Sequence, residues 1–153
     1  MLAPTMGAKY SFTSGAVKGT IHYGTGSIDA GTVGGVSRDS NSMGLDVSTG
    51  PFRAVIAKGE ADTTTSGVTT EVTDYGIQYN LGNGLTLAAV GTQIEENTGG
   101  ETSDISTVSA KYSIAPGLNA YITYHDYDYE DGTAATTNDD DGSKTYITIK
   151  ASF

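Results

Sequence analysis

The 153-residue sequence has no cysteine and no tryptophan, and only three prolines and three phenylalanines. Without cysteine there is no disulfide scaffold and no thiolate metal site, and the absence suits a protein exported through an oxidising compartment. Long apolar runs are missing as well: no stretch approaches the roughly 20 residues a membrane helix needs. Leu and Ala are too scattered for a stripe of period 3.6, which argues against a helix bundle. Basic residues are scarce. Eight Lys and Arg against eighteen Asp and Glu leave a formal charge of −10, which argues against a nucleic-acid partner, because phosphate must be neutralised by a basic surface. Met1-Leu2-Ala3-Pro4-Thr5 shows no basic segment followed by an apolar one, so no signal peptide is visible there.

What is plentiful is Gly, Tyr, Thr, Ser, Val and Ile, the vocabulary of strands joined by turns. A mean hydropathy of −0.24 leaves little material for a thick soluble core. Nine segments alternate with a period near two, each close to the roughly 9 to 11 residues of a tilted membrane strand. The last, Thr145 to Phe153, alternates strictly and stops on an aromatic residue. Counting back from it, Ala151, Ile149 and Ile147 suit lipid, while Ser152, Lys150, Thr148, Tyr146 and Lys144 suit water. Earlier segments repeat the pattern, among them Met6, Ala8, Tyr10 and Phe12 on one side of the first. Val55 and Val90 break it, each falling on the polar parity.

Connections alternate short and long. Ser14-Gly15, Ser48 to Pro51, Gly82 to Gly84 and Ala115 to Gly117 read as tight turns, and residues 25–41, 59–71, 94–104 and 126–143 as longer loops. Short periplasmic turns facing longer extracellular loops is the arrangement of up-and-down barrels in the bacterial outer membrane. Aromatics on the apolar parity gather at the two ends of the strands: Phe12, Phe52, Tyr79, Tyr112 and Phe153 by the short turns, Tyr23, Tyr75 and Tyr124 by the long loops. They are the candidate membrane-interface girdles. The fold expected is therefore an all-β, transmembrane, antiparallel up-and-down barrel, a single region over 1–153.

Charge supports the same parity. Lys9, Lys18, Arg53, Lys111, Lys144 and Lys150 all fall opposite the apolar face, with His22, Asp46 and Asp74. These nine are the channel-lining candidates, since so many ionic groups need a wet lumen. Arg38 is placed in a loop. Lys58 alone breaks the rule, at the loop end of its strand, where a long side chain can snorkel to water. The acids concentrate in the long loops: Asp29, Asp39, Glu60, Asp62, Glu71, Glu95, Glu96, Glu101, Asp104 and the run from Asp126 to Asp141. Solvated loops account for them. A sharper reading is cation attraction at a pore mouth, with Ca²⁺ as candidate among Asp126, Asp128, Glu130, Asp131, Asp139, Asp140 and Asp141, although EF-hand spacing is absent. No cofactor is otherwise indicated.

Catalytic patterns fail on inspection. Gly35-Val36-Ser37-Arg38-Asp39 lacks the glycine that completes a nucleophile elbow, and Gly24-Thr25-Gly26 opens no helix for a phosphate. His22 and His125 lie near the loop ends of polar strand positions, where a protease-like site at the rim is conceivable; lumen-facing polar groups explain them more simply. The expectation is a non-enzyme.

Ser113-Ile114-Ala115-Pro116-Gly117-Leu118-Asn119-Ala120-Tyr121-Ile122-Thr123-Tyr124, followed by an acidic loop and a closing strand ending in Phe153, resembles the C-terminal part of general bacterial porins, most nearly the alphaproteobacterial type. The resemblance implies a sixteen-stranded homotrimeric pore in the outer membrane, in contact with lipid and lipopolysaccharide, passing ions and small hydrophilic solutes. This chain would supply the eighth to sixteenth strands. It would lack the infolded loop that narrows such pores, so no selectivity filter carries over. Strand parity agrees: with nine strands the first and last run the same way, whereas bacterial barrels close on an even number. The chain alone is expected not to form a closed monomeric barrel. The alternative is a small complete barrel acting as an adhesin through its acidic loops.

Overall fold

The computed structural model describes residues 5–28, 37–63, 67–132 and 138–152. Nine strands appear in chain order: β1 Thr5–Ser14, β2 Val17–Ile28, β3 Arg38–Thr49, β4 Phe52–Thr63, β5 Val68–Gly82, β6 Leu85–Glu96, β7 Thr102–Ala115, β8 Leu118–Glu130 and β9 Asp140–Ala151. Each pairs antiparallel with its sequence neighbours to give one sheet in the order β1 to β9. Among the described residues β1 and β9 each pair on one side only.

The turns follow from local chemistry. Asn83 and Gly84 both have positive φ, 50° and 81°, as the type I′ turn of a two-residue hairpin demands. Pro116-Gly117, with Gly117 at φ 78°, suits a type II turn, where proline presets the first angle and glycine accepts the second. Adjacent hairpins are knitted at this end by Asn80 N–H to Pro51 C=O at 2.9 Å, Ser113 N–H to Gly84 C=O at 2.9 Å and Ser152 N–H to Gly117 C=O at 2.8 Å.

At the opposite end the strands run further than their hydrophobic pattern. β4 continues to Thr63 and β5 starts at Val68, so residues 64–67 replace the expected loop of 59–71. Likewise the connection before β7 shrinks to residues 97–101, and that before β9 to 131–139. Arg38, placed in a loop by pattern, opens β3. The extensions are rich in Ser, Thr, Gly and acidic residues, and where they alternate, as in Asp126-Tyr127-Asp128-Tyr129-Glu130, the acids take the outer parity, so the apolar signature of a lipid-facing strand is missing although the strands stay paired.

Among the described residues no hydrophobic side chain is buried. Large apolar groups lie open instead, from Tyr10 at 66% exposure to Ile149 at 68% and Ile147 at 80%. A continuous apolar face of this size is stable only against another apolar medium. Strand pairing shows that it is one face. Tyr10, Ile21, Leu45, Ile56 and Tyr75 form one cross-strand row, and Phe12, Gly19, Val47, Ala54, Ile77, Ala89 and Val108 the next.

Candidate pore-lining face

Because paired residues in a ladder share a face, the register assigns every strand residue to one of two sides. The apolar side is called outer and the other inner. All nine channel-lining candidates fall on the inner side. Lys9 pairs with His22, and their row continues through Gly44 and Ala57 to Asp74. Lys18 pairs with Ser48, which pairs with Arg53. Lys111 pairs with Tyr121, Lys150 with Asn119 and Lys144 with His125.

Five of the nine come together. A recess of about 460 Å³ on β1 to β5 is lined by Lys9, Thr20, His22, Asp46, Arg53 and Asp74, with Leu45, Val55, Ile56 and Ala57. Within it Arg53 grips Asp46 through Nε at 3.0 Å and Nη2 at 2.6 Å, a fork geometry only arginine offers. Thr92 donates to Asp74 at 2.6 Å across the β5–β6 pair. Lys111, Lys144 and Lys150 stand apart from this recess, on β7 to β9. Beside them Thr107 and His125 Nδ1 meet at 2.7 Å, and the His125 ring meets Tyr146 edge-on at 5.4 Å.

Val55 and Val90, the two breaks in the alternation, prove to be neighbours. Val55 pairs with Gly76 and Gly76 with Val90. Lacking a side chain, Gly76 lets the valines approach over its backbone: a Cβ there would stand 2.9 Å from Val90 Cγ1 and 3.3 Å from Val55 Cγ2. The exceptions are thus one small apolar island on the inner face.

The interface aromatics all lie on the outer face, save Phe153, which is outside the described residues. Phe52 and Tyr79 are paired across β4–β5 with ring centroids 6.1 Å apart. Phe12 covers Gly19 and stacks with Tyr10 at 6.3 Å. Tyr112 faces Leu85 and Ala120. Tyr23, Tyr75 and Tyr124 mark where the apolar face stops, since the next outer residues toward the loops are Thr25, Thr73 and Asp126. Tyr124 donates its hydroxyl to that Asp126 at 2.9 Å. Lys58 lies on the outer face as expected, but pairs with Glu71 at 2.7 Å in place of reaching freely for water.

The register also sorts charge by sign. Lys9, Lys18, Arg38, Arg53, Lys111, Lys144 and Lys150 point inward with Asp46, Asp74, Glu96 and Asp140. Outward point Asp39, Glu60, Asp62, Glu71, Glu95, Asp104, Asp126, Asp128, Glu130 and Asp141, all on the loop side of the apolar band, and one cation, Lys58. The acids are therefore largely strand residues forming an outward collar, a correction to their placement in loops. The suggested Ca²⁺ set is split: Asp140 is inward while Asp126, Asp128 and Asp141 are outward, and no three acidic or histidine groups converge on a metal position among the described residues.

Residues 4–152 match the family described as Gram-negative porin. The chain belongs to that family. This porin resides in the bacterial outer membrane, and its family comprises channels, not enzymes. Its fold is similar to that of an anion-selective porin from Comamonas acidovorans, with TM-score 0.66 and 12% identity over 95% of this chain and 47% of that one. It is also similar to OmpT, an outer membrane protein of Vibrio cholerae, with TM-score 0.63 and 14% identity over 97% of this chain and 55% of that one. A form of OmpT lacking loop L8 gives TM-score 0.54 and 15% identity, covering 95% and 62%. The porin thus spans about half to three-fifths of the length of these structures. No curated protein matches it significantly.

Proposed function

We propose that the sheet forms part of the wall of a water-filled outer-membrane channel through which ions and small hydrophilic solutes diffuse passively. The observation that carries this reading is the sorting of charge between the two faces: the outer face is apolar across its band, with its charges held to the loop side, while seven of the eight Lys and Arg residues stand on the inner face among hydroxyl groups. A dry interior would not hold Lys9, Lys18, Lys111, Lys144 and Lys150, none of which has a carboxylate partner among the described residues. β1 and β9 run in the same direction, so they cannot close on each other antiparallel, and a second copy meets the same mismatch. An odd number of further strands resolves it. A trimer with lipopolysaccharide around its outer face completes the proposal, and the open sheet disfavours a small self-contained adhesin barrel.

The cysteine-free sequence permits a clean test. Single cysteines are placed at alternating positions, Ser109→Cys and Thr123→Cys inward, Ala110→Cys and Ile122→Cys outward. Outer membranes containing the chain are extracted and recorded in planar bilayers with a charged, membrane-impermeant thiol reagent. Stepwise conductance is expected to fall on labelling the inward pair alone. Equal effects at both parities would overturn the reading.

A further inference from the structure

The inner face is not uniform in aromatic content. Among the described residues its four tyrosines, Tyr121, Tyr127, Tyr129 and Tyr146, all stand on β8 and β9. In the same region Lys111, Lys144 and Lys150 have no carboxylate within ion-pair distance among the described residues; the pairs formed are Arg53–Asp46 and Lys58–Glu71. Two of these lysines rest on rings instead: Lys144 Nζ lies 4.7 Å from the Tyr146 centroid, and Lys150 Nζ 5.3 Å from that of Tyr121. Tyr121 pairs directly with Lys111 on β7 and sits diagonally from Lys150 on β9, so one ring lies between two cations. Tyr121 pairs with Thr148 and Tyr146 with Thr123, which makes the two rings diagonal neighbours, within about 8 Å on such a ladder.

We propose that the inner face of β7 to β9 is a binding track for small aromatic carboxylates. The inference rests on reading this face as pore-lining. A lysine held only by a ring face has no directional bond to break when it leaves, whereas Arg53 is fixed in orientation by its two-point fork on Asp46. An arriving carboxylate draws Lys150 off the Tyr121 ring, and Lys144 off that of Tyr146, by charge-assisted hydrogen bonds, with Lys111 opposite Tyr121 as a further donor. That movement uncovers the tyrosine faces, and the solute's own ring takes the vacated position by offset stacking. An aliphatic carboxylate uses only the first interaction. An aromatic ammonium finds the rings already occupied by cations of its own sign. The recess on β1 to β5 offers Lys9 but no ring, because none of the described tyrosines faces inward there.

The test titrates the full chain, refolded in detergent with ¹³C-labelled tyrosine rings, with benzoate, acetate and benzylammonium. Resonances are assigned by their loss in Tyr121→Leu and Tyr146→Leu. Benzoate is expected to shift both rings with an apparent affinity at least about fivefold tighter than acetate, and benzylammonium to shift neither. Lys111→Gln/Lys150→Gln is expected to weaken benzoate at least about fivefold, with Lys111→Arg/Lys150→Arg restoring it and Lys58→Gln, on the outer face, leaving it unchanged. Unaltered far-ultraviolet circular dichroism identifies folded variants, and the arginine pair supplies a second charge-keeping one. Equal affinities for benzoate and acetate, or benzoate binding that survives loss of both lysines, would overturn the track. Parity-dependent block by the thiol reagent without benzoate preference sinks the track and spares the pore; benzoate preference with equal block at both parities does the reverse.

Discussion

The outer and inner faces of the sheet share one backbone, one set of strands and one alternation, yet they handle charge in opposite ways. Outward, cations are reduced to Lys58 and acids are pushed to the loop side of the apolar band. Inward, lysines and arginines occur along the whole strand length, and Asp46 and Asp74 stand among them. The medium against each face sets what is tolerated there: an ion facing lipid has no solvent to replace its hydration, whereas one facing a wet lumen keeps it.

Substitution at consecutive residues gives the largest expected separation between the faces. Ile122→Lys, in the middle of the outer band, should cost about 2–4 kcal/mol of stability, and Thr123→Lys, one residue on and inward, less than about 0.5 kcal/mol. Urea unfolding in lipid vesicles measures both; equal costs would erase the distinction between the faces. A smaller contrast concerns glycines. Tyr75 lies over Gly91 on the outer face, where a Cβ would overlap the ring. Gly91→Val should therefore cost about 1–3 kcal/mol by overpacking. Gly59→Val, inward with nothing closer than 3.7 Å, should be near neutral. Thermal unfolding of the two variants checks this. Smallest are the ion pairs: both are exposed, so Arg53→Met should cost at most about 1 kcal/mol and Lys58→Met no more than Arg53→Met. They should differ in bilayer recordings at unequal salt. Arg53→Met leaves Asp46 bare inside and shifts the reversal potential toward cation preference, while Lys58→Met, outside the lumen, leaves it unchanged.

Parity was legible in the sequence because lipid imposes a strict penalty every second residue, from Met6 to Ala151. It sorted all nine channel-lining candidates onto the one face opposite the apolar band. Where that penalty ends, the pattern ends too, so the strand extensions through Glu60, Glu71, Glu95 and Asp128 read as loops. Register was equally invisible. Nothing in the chain order announces that Val55 and Val90 meet over Gly76, that Lys58 finds Glu71, or that Lys111 and Lys150 flank Tyr121, since each depends on which residue of the next strand lies opposite. Tyr146 shares the water-facing parity with Lys144 and Lys150 in the sequence itself, whereas the meeting of Tyr121 with Lys150 depends on the register.

The sorting of charge by sign has an electrical consequence. A wall one strand thick, basic within and acidic along its outer collar, behaves as a small double layer whose field runs through its own thickness. Mobile ions collapse such a field within about 10 Å at 0.1 M salt and about 3 Å at 1 M. The field across the wall therefore fades as the medium becomes more concentrated, while the apolar band that holds the sheet in lipid does not weaken, so salt acts on the one without loosening the other.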